Sequence, residues 1–182
     1  MTYLDVFLRA MLITVFGLAA VGKLRSRAAF TSFADSLASV GVGTRRRRDL
    51  AAAMVAVTET AIVAGLAVPA TVTDGYALAL LTLAVFTAAV GRALHSGRVV
   101  RCRCFLGDGG EMNRGHLLRN AVLAGAAAAG LMLRWTAQPA ATVDVAAGLA
   151  GLAGLVVGLG VTHWDDLTHL FRPVEAAAAR RR

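Results

Sequence analysis

The sequence predicts an all-α integral membrane helical bundle, a four-helix core plus a fifth C-terminal transmembrane helix. Two features of composition point there first. Of the 182 residues, 57% are hydrophobic and only 16% charged, whereas a soluble chain is about half apolar and roughly a quarter charged. The mean hydropathy is +0.65. The third observation is arrangement: the apolar residues fall into five runs, each about long enough to cross a ~30 Å hydrocarbon core as a helix.

The first run is Leu4–Ala20. Asp5 and Arg9 shorten its clean apolar length, and the opening Met-Thr-Tyr-Leu-Asp lacks the basic region of a secretory signal, so a retained helix is expected. The second, third, fourth and fifth runs are Leu50–Val68, Tyr76–Leu94, Leu117–Leu133 and Val143–Val161. Pro69 and Pro139 fall in the connections after the second and fourth, where a helix is expected to stop. Tyr3, Tyr76, Trp135 and Trp164 mark span ends and suit the interfacial aromatic belt.

The longest connection between the first two runs, Val21–Asp49, has a pattern of its own. Phe30, Phe33, Leu37 and Val40 recur every three to four residues and share one helical face, and the Gly41-Val-Gly43 turn closes the segment. This predicts a short amphipathic helix, either lying at the membrane interface or packed on the rim of the bundle. In the fifth run, Gly154 and Gly158 form a small-xxx-small pair; with Gly148 and Gly151, and Gly125 and Gly130 in the fourth run, they predict close helix packing within the bundle more than homodimerisation.

The formal net charge of +8 resides in connections and the C-terminal tail. Flanking apolar spans, it is read as topology-setting and lipid-facing charge, and no nucleic-acid partner is expected. Lys23, Arg25, Arg27 and Arg45–Arg48 lie in the first connection, five arginines including Arg101 and Arg103 in the third, and Arg180–Arg182 in the tail; the second connection has none. The alternation predicts an N-terminus outside and a C-terminus in the cytoplasm.

Chemistry is expected in two places. Cys102 and Cys104, the only cysteines, stand one residue apart between Arg101 and Arg103, and Gly107, Gly109 and Gly110 follow. Positive charge beside a sulfur favours the reactive thiolate. A disulfide across one intervening residue closes a small, strained ring and is therefore labile. Two unreactive loop thiols, or a soft-metal site completed by His95 and His116, are the alternatives; the spacing is not that of a structural zinc site. The second place is Glu59, mid-span in Val57-Thr-Glu-Thr-Ala61. A carboxyl at that depth must be neutral or partnered, and Lys23 or Arg119 are the cations that can reach inward; Arg119-Asn120 opens the fourth span and invites a similar pairing.

Gly22-Lys23-Leu24 at the end of the first helix, Glu59 in the second, Cys102-Arg-Cys104-Phe105 with Gly107 after the third, and Arg119-Asn120 in the fourth together resemble the DoxX-like group, and most closely the methylamine utilisation MauE family. The resemblance covers roughly residues 4–134. It implies a four-helix membrane bundle, associated with disulfide formation or maturation of exported proteins, with Cys102 and Cys104 as the redox pair and a thioredoxin-fold partner. The chain departs from the family pattern at Leu106, which interrupts Cys-x-Cys-Phe-Gly, and in its fifth helix. The family picture implies an outward-facing cysteine pair, whereas the charge alternation implies a cytoplasmic one.

The expected organisation is therefore a domain over residues 1–134, including the 95–116 cysteine loop, followed by a fifth span and basic tail over 135–182. The leading functional expectation is thiol–disulfide exchange in a bacterial inner membrane. Cys102 and Cys104 would cycle, Arg101 and Arg103 would favour thiolate, and Glu59 would manage protons, with Lys23, Arg119 and Asn120 in support. The electron partner expected beside the thioredoxin-fold protein is a quinone in the bundle, which no residue pattern demonstrates. The rivals are a non-enzymatic assembly or anchoring subunit, and a small transporter-like bundle using Glu59. Against transport stand the absence of a broken-helix signature and the sparse polar lining.

Overall fold

A computed structural model describes residues 3–95, 114–136 and 144–163. Its helices are α1 (Tyr3–Leu24), α2 (Arg27–Ser36), α3 (Arg45–Ala67), α4 (Val72–His95), α5 (Arg114–Thr136) and α6 (Val145–Thr162), with a 3-10 turn at Pro69–Thr71 between α3 and α4. Among the described residues there is no strand, and five helices, all but α2, are long and apolar enough to span a membrane. The protein is an all-α, multi-pass membrane bundle.

Every expected run has its helix; most ends are shifted outward, while α3 stops one residue short of Val68 and α6 begins two residues after Val143. The largest shift is in α3, which begins at Arg45 and so takes Arg45–Arg48 into its first turn. Thr44 offers no side-chain bond to cap it. By contrast, Ser26 caps α2 by accepting from the Ala29 amide (3.0 Å), and Asp144 caps α6 by accepting from the Ala147 amide (2.8 Å). Pro69 stops α3 as expected, because it cannot continue the hydrogen-bond ladder. Pro139 and Trp164 lie outside the described residues.

Contacts between the helices fix their directions. Arg9 of α1 donates to the carbonyls of Leu66 and Ala67 at the far end of α3 (2.9 and 3.3 Å), so these two run antiparallel. Gly65 and Gly75 face one another where α3 turns back into α4. Tyr76 near the start of α4 meets Gly130 near the end of α5, making that pair antiparallel as well. Consequently α1 ends, α3 begins, α4 ends and α5 begins at one end of the bundle.

The main core is built from α1, α3, α4 and α5, with Leu12, Ile62, Leu66, Val72 and Leu123 all at most 1% exposed. Lipid supplies no hydrophobic drive between spans, so the helices must approach closely enough for dispersion to hold them. The α1–α6 seam does this through glycine. A Cβ at Gly154 would strike the Phe7 carbonyl, and one at Gly158 would sit 2.8 Å from Thr14 Cβ and 2.9 Å from the Met11 carbonyl oxygen. The expected small-xxx-small pair therefore serves packing inside the bundle, with α6 parallel to α1. Large apolar side chains that face outward, among them Met54, Val57, Leu81, Val85, Leu149 and Leu152, form the lipid-facing surface.

The amphipathic helix predicted from Phe30, Phe33 and Leu37 exists as α2, and its apolar face is turned to protein. Phe33, Ala34 and Leu37 form a small separate core with Ala52 of α3. Between the two readings of that periodicity, the structure gives the rim of the bundle.

Candidate functional site

A lysine near the end of a transmembrane helix ordinarily stretches toward water. Lys23 does the opposite. Its Cα–Cβ bond tilts toward the helix N-terminus, as in every α-helix, and from the penultimate residue of α1 that direction leads into the bundle. There Nζ lies 2.8 and 2.9 Å from the two carboxylate oxygens of Glu59 on α3, and 3.2 Å from the carbonyl oxygen of Ala19. Three acceptor oxygens thus lie within hydrogen-bond reach of the ammonium. Lys23 is 2% exposed and Glu59 7%.

The ring of Phe33 lies over the same ammonium. Its centroid is 4.8 Å from Nζ, a cation–π distance, and the residue itself is 1% exposed. α2 is positioned for this by the short Arg25-Ser26 link after α1 and by its packing on α3. Of the two cations expected to reach Glu59, Lys23 is the one the structure sets against it. Lys23 is consequently not a connection charge, as the charge alternation had counted it; helix α1 carries it into the interior. Arg25, Arg27 and Arg45–Arg47 remain exposed at that end.

Arg119 and Asn120 are also buried, at 7% and 8% exposure. Because α5 begins at Arg114, they occupy its second turn and do not open the helix; they enter the bundle from the end at which α1 finishes. Cys102, Cys104, Arg101 and Arg103 lie in the segment joining α4 to α5, outside the described residues. Among the described residues, no three His, Cys, Asp or Glu side chains gather as a metal site; His95 and His116, named with the cysteines for the metal alternative, stand in α4 and α5.

A second polar cluster at the opposite end went unread in the sequence. Tyr76, expected in the interfacial belt, is fully buried. Its hydroxyl reaches Asp5, 3.1 Å from Oδ1 and 3.3 Å from the main-chain oxygen, while Arg9 stands 4.0 Å from the other Asp5 oxygen and spans to α3. A buried phenol needs a hydrogen-bond partner, and Asp5 supplies it inside the bundle where a belt tyrosine would use interfacial water. The i, i+4 spacing of Asp5 and Arg9 was the available signal. Tyr3 and Trp135 are exposed at span ends, as expected of belt residues. One further signal was legible: Lys23 is the only lysine, every other one of the 19 Lys and Arg residues being arginine.

Fold and site together define a multi-pass helical membrane protein with an ion pair sealed between its first and third helices. The chain belongs to the MauE family: the model of the methylamine utilisation protein MauE matches residues 1–133, from α1 to within the last turn of α5. No curated protein and no solved structure matches it.

Proposed function

We propose that this membrane protein carries out thiol–disulfide exchange with partner proteins, supporting their maturation in a pathway of the kind the methylamine utilisation family description denotes. The observation that carries the reading is the place of the cysteine pair: both thiols fall inside the family-matched region, flanked by Arg101 and Arg103, between two helices whose ends share the Lys23 end of the bundle.

In this reading one cysteine thiolate attacks a partner disulfide, forming a mixed disulfide and releasing the partner's other sulfur as thiolate. The second cysteine, as thiolate, then attacks the mixed disulfide. The products are a Cys102–Cys104 disulfide and a partner dithiol, with two electrons transferred to the partner; the reverse sequence oxidises a partner dithiol. Arg101 and Arg103 favour the attacking thiolate. Glu59 and Lys23 hold a proton within reach of the same end of the bundle, with Arg119 and Asn120 supporting that end. A thioredoxin-fold protein is the partner class, and a membrane quinone the alternative electron carrier.

The same reading takes the membrane to be a bacterial inner membrane; the basic residues at the α2 end and their absence from Pro69–Gly75 support an N-terminus outside and a C-terminus in the cytoplasm. Labelling Cys102 and Cys104 in intact cells with a membrane-impermeant thiol reagent, with and without prior reduction, tests sidedness and redox state together. A Cys104→Ser or Cys102→Ser variant is expected to trap a mixed disulfide with its partner. If neither variant does so, and the double variant supports partner oxidation as the wild type does, exchange is ruled out.

One observation favours a second reading, a non-enzymatic assembly or anchoring subunit. Both Glu59 oxygens are held by Lys23, the arrangement of a pair that locks two helices. Normal partner assembly in the double cysteine variant would select that reading.

A further inference from the structure

We propose that α2 is a lid over a proton-exchange site made by Lys23 and Glu59, and that the Phe33 ring is the gate that admits or excludes water. Three independent features support it. First, Lys23 is the only lysine among the 19 Lys and Arg residues, and it stands against the buried carboxylate of Glu59. Arginine stays charged under all ordinary conditions, whereas an ammonium can give up its proton. The position is therefore filled by the one basic side chain able to exchange.

Second, the cover is a separate part of the structure. The Phe33–Ala34–Leu37–Ala52 cluster is distinct from the main core, so α2 can lift without disturbing the four-helix packing. It is tethered by the two-residue link Arg25-Ser26 on one side and by a turn containing Gly41, at φ 98°, on the other. Half-buried Arg48 of α3 and exposed Asp35 of α2 pair across the seam at 3.4 Å.

Third, the seam is where the charge lies. Nζ of Lys23 is in contact with the main bundle through Ala19 and Glu59, and the Phe33 ring of the lid lies over it at 4.8 Å. Lifting that ring opens the ammonium to the aqueous end of the bundle, where a proton can pass to or from water. With the ring in place the proton is confined between an amine and a carboxylate. The inference concerns access to the pair and does not depend on the cysteines.

Because Lys23 is the only lysine, amine acylation reads this access directly. The full chain in lipid nanodiscs is treated with a water-soluble acylating ester at fixed pH, and modification of Lys23 is followed by mass spectrometry against the denatured protein. Wild-type Lys23 is expected to react slowly. Phe33→Ala should speed the reaction by about tenfold or more, since the core anchor of the lid is lost. Phe33→Leu, which keeps an apolar plug, and Phe30→Ala, which loosens the same helix away from Nζ, should stay within about threefold of wild type. Circular dichroism and Glu59-dependent thermal stability verify that the bundle is folded in each case. Equal protection in Phe33→Ala and wild type overturns the proposal. So does equal acceleration in Phe33→Ala and Phe30→Ala, which would mark general loosening and no gate.

Discussion

Lys23 and Glu59 join α1 to α3 through hydrogen bonds of 2.8 and 2.9 Å, in an interior where neither charge has water to fall back on. Enclosing two charges costs several kcal/mol each, and their attraction offsets this only while both are present. The pair therefore holds its geometry by mutual need.

Removing one partner should be far worse than removing both. Glu59→Ala or Lys23→Met is expected to destabilise the bundle by about 3–5 kcal/mol, because an unpaired charge is left inside. The combined Lys23→Met, Glu59→Leu variant should recover most of that loss, since apolar residues of similar size can replace a buried pair. Thermal unfolding in detergent of the wild type, Lys23→Met, Glu59→Leu and the combined variant closes the double-mutant cycle. Additive losses would mean the two residues do not depend on each other. Lys23→Arg should also destabilise, since a planar guanidinium does not fit the compact three-acceptor pocket.

Tyr76 provides the second prediction. Its ring fills the space that a side chain at Gly130 would occupy, so Gly130→Ala should cost about 1–3 kcal/mol through overpacking. Tyr76→Phe keeps the ring and loses the hydroxyl shared with Asp5, at a cost of about 1–3 kcal/mol for a buried partner left short of a donor. Unfolding midpoints in denaturant at constant slope would measure both. A Gly130→Ala protein as stable as wild type would mean the ring shifts freely.

What the sequence made legible follows from how local each signal is. Hydropathy over a span is local, so all five spanning helices could be drawn with ends within a few residues, except α3, whose four arginines look like connection until a helix is seen to continue through them. The spacing of Phe30, Phe33 and Leu37 disclosed α2, but periodicity is the same whether the apolar face meets lipid or protein. Gly154 and Gly158 announced a seam by their spacing, while Gly130 carried no mark of Tyr76, 54 positions away in sequence. For Glu59 the need for a partner was legible from depth alone. The choice of Lys23 was decided by side-chain direction, which only the packing of α1 on α3 reveals.

Asp144 makes the start of α6 sensitive to acid. It lies outside the spans, and the Tyr3 hydroxyl (2.6 Å) and then the Ala147 amide stabilise its carboxylate, holding its pKa below the ordinary value. A lowered folded pKa means the contribution is fully present above the ordinary carboxylate range and is lost as pH falls through the lowered value. Hydrogen exchange at the first turn of α6, normalised to an unstructured peptide, should show protection at neutral pH that disappears on acidification. Asp144→Asn, a good cap without a charge to lose, should be insensitive to pH over that range. Tyr3→Phe should shift the loss to higher pH, toward the ordinary carboxylate value.

The last prediction concerns α6, which follows the region matched by the family model. It holds α1 through backbone approach at Gly154 and Gly158, and most of its large apolar residues are exposed to lipid. The α1 face beneath it includes Phe7, Ala10 and Thr14; Thr14 satisfies its hydroxyl on the Ala10 carbonyl (2.8 Å), so the face carries no polar group that lipid would leave unmet. The Lys23–Glu59 pair joins α1 to α3. Gly154→Leu with Gly158→Leu should therefore detach α6 from α1 while Lys23 stays resistant to acylation, because large side chains at both positions forbid the close approach. Introducing single cysteines at Val6 and Gly151, whose contact the structure gives as 3.6 Å from a Cβ at Gly151 to the Val6 side chain, in a background lacking Cys102 and Cys104, reports the seam by disulfide formation. Cross-linking should be efficient with both glycines present and lost when they are replaced. If Lys23 becomes reactive at the same time, α6 is required to hold the four-helix core together, and the division of the chain after α5 is wrong.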